Sequence, residues 1–109
     1  MAYNDKSAER IRKHLKRRKG YAEKKMFGGI CFLIDGNMAC GITQNDLMVR
    51  VGPDAWDACI QEPHARAMDF TGKIMRGFVT VDSKGFETDD DLKAWLERGV
   101  KYARSLPAK

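Results

Sequence analysis

Met26-Phe27-Gly28-Gly29-Ile30-Cys31-Phe32-Leu33-Ile34-Asp35-Gly36 reads as the end of a strand, a double-glycine break, an apolar strand and a tight turn. Asp35-Gly36 is a favoured pair for a two-residue type I′ hairpin. Gly28-Gly29 permits dihedrals that a side chain forbids, so a sharp bend or bulge is expected there. Working outward, four short strands are expected at Lys24–Phe27, Ile30–Ile34, Met38–Thr43 and Leu47–Val51. Gln44-Asn45-Asp46 supplies the third turn. Leu47, Val49 and Val51 alternate with Met48 and Arg50, the pattern of a strand wet on one side.

Helices are expected on either side of these strands. Residues 5 to 19 suit a helix with Asp5 or Ser7 as N-cap and Gly20 as its stop. Ala8, Ile11 and Leu15 form a thin apolar stripe, and Arg10, Arg12, Lys13, Lys16, Arg17, Arg18 and Lys19 cover the remainder. Pro53 opens a second helix, with Trp56, Cys59 and Ile60 on one face until Pro63. His64 to Thr71 has no clear pattern. Lys73–Asp82 reads as one or two further strands with Gly77 marking a bulge, and Ser83-Lys84-Gly85 turns the chain. Thr88 caps a last helix whose first turn holds Asp89, Asp90 and Asp91, where the dipole favours anions. Leu92, Trp95, Leu96, Val100 and Ala103 form its buried stripe, and Pro107 ends it. The class is α+β. The expected anchors of the core are Phe27, Phe32, Leu33, Leu47, Trp56, Phe70, Phe78, Trp95 and Leu96, and Gly28, Gly29, Gly36 and Gly77 are expected to resist larger residues.

At 109 residues the chain suits one domain with a single modest core. With 43% hydrophobic and 32% charged residues it has an ordinary globular composition. No apolar run is long enough to span a bilayer, and the N-terminus lacks the apolar stretch of a secretory signal. Three cysteines without a C-x-x-C spacing suit reduced thiols in a cytoplasmic protein. The net charge of +5 is unevenly placed: residues 1–30 hold ten Lys/Arg against Asp5, Glu9 and Glu23. A patch of this kind says more about partners than an average does.

Met26-Phe27-Gly28-Gly29, the Asp35-Gly36 hairpin and Met68-Asp69-Phe70-Thr71-Gly72-Lys73-Ile74-Met75-Arg76-Gly77 closely resemble the N-terminal domain of the TfoX/Sxy family. The likeness extends through the acidic-capped, Trp-containing last helix. Met26, Phe27, Gly28, Gly29, Asp35, Gly36, Gly72 and Gly77 are the motif positions that carry it. The resemblance implies a fold of helix, antiparallel strands, helix, further strands and C-terminal helix, similar to that of secretion chaperones. It also implies an association with the regulation of bacterial competence genes, beside a cyclic-AMP receptor protein at promoters. Full-length regulators of the family carry a second, C-terminal domain; this sequence ends at Lys109 without one.

Few residues suggest chemistry. His14 and His64 lack a second ligand at helical spacing, and there is no G-x-S-x-G elbow. Gly72-Lys73 fails as a phosphate loop because Ala67 stands five before Gly72 and Ile74 replaces the Ser or Thr. The Asp89–Asp91 run is explained by a helix N-terminus without a metal. The hairpin register would set Cys31 opposite Cys40, either a redox-sensitive pair or, preferably, two small buried hydrophobes. Neither an enzyme nor a cofactor is expected. Two interaction readings remain. The domain acts through a protein partner: transcription machinery is a candidate by resemblance, and an exposed sheet edge could pair with a second copy or a partner peptide. Alternatively, Arg10, Arg12, Lys13, Lys16, Arg17, Lys19, Lys24 and Lys25 neutralise phosphates of a nucleic acid. Helix-turn-helix features are lacking and stacking aromatics are few, Tyr3 and Tyr21 flanking the helix, so such contact would be non-specific.

Overall fold

The Asp35-Gly36 pair closes its hairpin as the sequence requires. Asp35 has φ 55° and Gly36 φ 82°, the two positive angles of a type I′ turn, and Ile34 faces Asn37. In the computed structural model, residues 3–26, 28–70 and 72–109 are described, Phe70 by its backbone alone. Around that hairpin lie six strands in one antiparallel sheet: β1 (Tyr21–Met26), β2 (Gly29–Ile34), β3 (Asn37–Thr43), β4 (Asp46–Arg50), β5 (Ala65–Phe70) and β6 (Lys73–Val81). Their order is β1-β2-β3-β4-β6-β5. Three helices, α1 (Asp5–Leu15), α2 (Pro53–Cys59) and α3 (Asp89–Ser105), complete the α+β fold.

All three helices cover the same face of the sheet. Ala8, Ile11 and Leu15 of α1, Cys59 of α2, and Leu92, Trp95, Leu96, Val100 and Ala103 of α3 form one core with Phe32, Ile34, Ile42, Leu47, Val49, Val79 and Val81. The last helix buries all five residues of its expected stripe, and Gly99 joins them. Its Thr88 hydroxyl accepts the Asp91 N–H at 3.1 Å, satisfying one of the free donors of the first turn. Trp56 is half-buried against this core and donates from its indole N–H to the Phe78 carbonyl at 2.9 Å.

Several local expectations are corrected. Helix α1 stops at Leu15 rather than Lys19, because residues 16–20 fold into turns: Arg18 N–H bonds the Leu15 carbonyl and Tyr21 N–H the Arg18 carbonyl. Its N-cap is Asn4, whose side chain accepts the Ser7 N–H, rather than Asp5 or Ser7. Strand β1 begins earlier than Lys24, and its expected last residue, Phe27, lies outside the described residues, as does Thr71. Of the bend or bulge expected at Gly28-Gly29 the chain makes the bend, with Gly28 at φ 72° in the turn. Met26 faces Gly29, so β1 and β2 form a plain hairpin, and Gly29 is a strand residue pressed against β3. A Cβ there would stand 2.0 Å from the Ile42 carbonyl oxygen.

The bulge lies one strand further on. Leu33 faces Met38 but Phe32 faces Cys40, which leaves Ala39 as the extra residue. Cys31 therefore faces Gly41, not Cys40. Cys40 joins the helix-covered core while Cys31 joins a cluster on the opposite face. The expected facing pair is thus broken, and both thiols are fully buried. Burial pushes the Cys31 thiol up to about 11 and raises that of Cys40 further. Ala65–Phe70, in a stretch without a pattern in the sequence, form β5, and Gly77 does mark an irregularity. Ala67 faces Val79 whereas Met68 faces Met75, and the Gly77 carbonyl, turned out of the ladder, accepts the N–H groups of Val51 and Gly52.

Candidate interaction surfaces

The basic N-terminal quarter divides into cations already engaged and cations open to solvent. Arg10 reaches the carbonyl oxygens of Phe86 (2.9 Å) and Glu87 (3.1 Å) and approaches Asp89 at 3.4 Å. Arg12 forms a two-pronged pair with Glu23, at 2.9 and 3.0 Å, and also meets Glu9. Arg18 pairs with Glu97 of α3 and bonds the His14 carbonyl. The Arg12 guanidinium holds the Glu23 carboxyl below its usual range, and Arg18 does the same for Glu97. Both pairs stay ionised through neutral pH, so these arginines fasten α1 to β1 and α3. They are poorly placed to meet a phosphate.

Among the described residues, Lys13, Lys16, Arg17 and Lys19 make no ion pair and are exposed. They lie together at the end of α1 and in the turn after it. Lys24 and Lys25 do not join one patch. Strand alternation sends them to opposite faces of β1, and Lys24 lines a cavity on the face away from the helices. Of the eight cations expected to act together, the structure thus leaves Lys13, Lys16, Arg17 and Lys19 as one group. Lys25 stands apart on the edge strand.

The face of the sheet that carries no helix holds the feature the sequence concealed. Cys31, Met38, Met48 and Met68 are buried there, with Met26, Leu33, Met75 and Phe78 half-buried around them. No helix residue belongs to this cluster. The expectation that β4 is wet on this side is corrected at Met48, which is fully buried. Five of the chain's six methionines converge here from β1, β3, β4, β5 and β6. Leu33 and Phe78, expected as core anchors, are rim residues of this face instead.

A cavity of about 500 Å³ opens on it, lined by Lys24, Met26, Leu33, Gly36, Met38, Arg50, Phe78 and Lys109. Arg50 lies between the Phe78 and Tyr102 rings, its guanidinium carbon 5.5 and 5.4 Å from their centroids. Stacking of this kind orients a guanidinium without neutralising it. A second cavity, of about 450 Å³, separates α2 from α3 and is bordered by Cys59 and Arg98. Its arginine is committed to Glu62 at 2.6 Å and to the Trp95 ring, and Lys101 stands exposed at its border.

The remaining motif positions are structural. Gly72 has φ 80° in the β5–β6 turn and Gly28 φ 72° in the β1–β2 turn, and a Cβ at either would meet nothing within 4 Å. Among the described residues no helix is long and apolar enough to cross a membrane. No curated protein and no solved structure matches the chain. The model of the TfoX N-terminal domain family, however, matches residues 13–103, which spans β1 to β6 and nearly all of α3. By that match the chain belongs to the TfoX N-terminal domain family.

Proposed function

We propose that this chain is a non-catalytic regulatory adaptor of the bacterial cytoplasm, acting on gene expression by binding another protein. Membership of the TfoX N-terminal domain family supports a competence-related regulatory role. The observation that carries the adaptor reading is the helix-free sheet face, whose methionine-rich surface is half-exposed at Met26, Leu33, Met75 and Phe78. Domains normally bury both faces of a sheet whose strands are apolar on both sides. Methionine-rich surfaces also adapt their shape to partners at little cost in rotamer strain.

A second reading rests on the unpaired group Lys13, Lys16, Arg17 and Lys19, which would contact nucleic-acid phosphates without reading bases. One experiment separates the two. Transcripts are measured in cells deleted for the chain and complemented with wild type, with Leu33→Glu, or with Lys13, Lys16 and Lys19 all changed to Glu. The adaptor reading expects wild type and the triple variant to restore the transcripts and Leu33→Glu to fail while remaining folded. The reverse pattern transfers the function to the basic helix. A deletion without any transcript change overturns the regulatory role itself.

A further inference from the structure

The cavity on the helix-free face combines an apolar floor with the positively charged side chains of Lys24, Arg50 and Lys109. Met26, Leu33, Met38 and Phe78 form the floor, and Lys24 and Arg50 stand at its rim. Among the described residues no Asp or Glu lines it. Among the described residues neither Lys24 nor Arg50 makes an ion pair, and Arg50 is held in place by its two aromatic neighbours. The site therefore selects for a ligand that is apolar on one side and anionic on the other.

Backbone accounting narrows the shape of that ligand. Of the strands under the floor, β2, β3 and β6 have neighbours on both sides, while β1, which brings Met26, is an edge strand paired with β2 alone. An occupant lying across β2, β3 and β6 gains side-chain contacts only. It must satisfy its own backbone, and an α-helix does so. A second copy of the same face is disfavoured, because it would bring Lys24 and Arg50 against their own kind.

We infer that this face is a docking cradle for an acidic amphipathic helix of a partner protein. Leucine-like side chains settle on Met26, Leu33, Met38 and Phe78, and carboxylates on the polar side meet Lys24 and Arg50. The inference rests on the adaptor reading and adds the chemistry of the partner.

The test uses the full chain with 13C-labelled methionine methyl groups, which place reporters in the floor itself. The probes are a leucine–glutamate amphipathic peptide of about five helical turns, its leucine–lysine counterpart, a scrambled acidic peptide of the same composition, and decanoate. Saturable shifts at the Met26 and Met38 methyls are expected with the acidic amphipathic peptide. Its affinity should exceed those of the basic and scrambled peptides by about tenfold. The K24E/R50E double variant should reverse the preference between acidic and basic peptides. Lys24→Glu alone, at an exposed position, should weaken the acidic peptide if the Arg50 change disturbs the fold. Equal binding of acidic and basic peptides, no shift at these methyls, or tighter binding of decanoate than of any peptide would each overturn the cradle. Those results are distinguishable from failure of the adaptor reading, which is decided by the transcripts of the deletion strain.

Discussion

Gly99→Ala should weaken the domain, although alanine in place of glycine inside a helix ordinarily gains about 1 kcal/mol. Gly99 lies in the middle of α3, where a Cβ would stand 2.2 Å from the Ala39 carbonyl oxygen and 2.9 Å from its carbon. Both are backbone atoms of the β-bulge, so no rotamer change can clear the space. The helix would have to lift from β3, loosening the contacts of Leu96, Val100 and Ala103. Overpacking of this kind costs about 1–3 kcal/mol where side chains can yield, and more is expected against backbone. A net loss of about 2 kcal/mol is the expected outcome, read as a lower urea midpoint with unchanged slope. Gly28→Ala provides the contrast, since among the described residues a Cβ there would meet nothing within 4 Å beyond its chain neighbours. Its cost is confined to the positive φ of the turn, about 1 kcal/mol. A Gly99→Ala protein more stable than wild type would show that α3 does not sit against the bulge as described.

The second large effect is Phe32→Ala. Phe32 is fully buried at the centre of the helix-covered core, its ring centroid 6.3 Å from that of Tyr21. Removing it should cost about 3–5 kcal/mol, a lost transfer energy plus a cavity that the bulged backbone cannot collapse around. Against a typical total of about 5–15 kcal/mol, this leaves the domain marginal. Thermal unfolding should move down by about 15 °C or more. Phe78→Ala, on the half-buried rim of the other face, should lower the midpoint much less. Equal losses at the two positions would contradict the division of the sheet into a covered and an open face.

Much of the fold was legible because its signals are local. Thr88 with three following aspartates, the stripe from Leu92 to Ala103, Pro53 and Asp35-Gly36 each act within a few residues of themselves. Features that depend on distant partners were hidden. The extra residue at Ala39 shifts the pairing of β2 and β3, and its carbonyl is accommodated by Gly99, some sixty residues on. No count of loop residues reveals that, and a regular hairpin register sets Cys31 opposite Cys40 where the bulge sets Gly41. The basic cluster misled for the same reason. Glu97, which holds Arg18, is 79 residues away in sequence, as is Asp89 from Arg10. A cation reads as free in a sequence until its acid is located in space. Lys24 and Lys25 show a different failure: adjacent in sequence, they are separated by the pleat.

The open face was the largest omission. Met26, Met38, Met48, Met68 and Met75 come from five strands and form no motif along the chain. Met48 alternates with Leu47 and Val49, and that pattern alone marks a wet position. A methionine at such a position fits a solvent face or a contact surface equally well in sequence. The sheet topology decides between them by gathering five on one side and sending every helix to the other. An available signal was the near-continuous apolar run of Ile30 to Ile34, since a strand apolar on both faces suits a sheet covered twice.

Covalent footprinting of the methionines in living cells would test most directly whether that face is covered at work. The chain would be oxidised briefly in cells and, in parallel, after purification, and sulfoxide formation compared at Met26 and Met75. Both side chains are half-exposed in the isolated protein, so both should oxidise readily there. An adaptor occupied through this face predicts strong protection of Met26 and Met75 in cells, lost when Leu33→Glu blocks docking. Equal oxidation of both methionines in cells and in purified protein would contradict a partner bound on the open face.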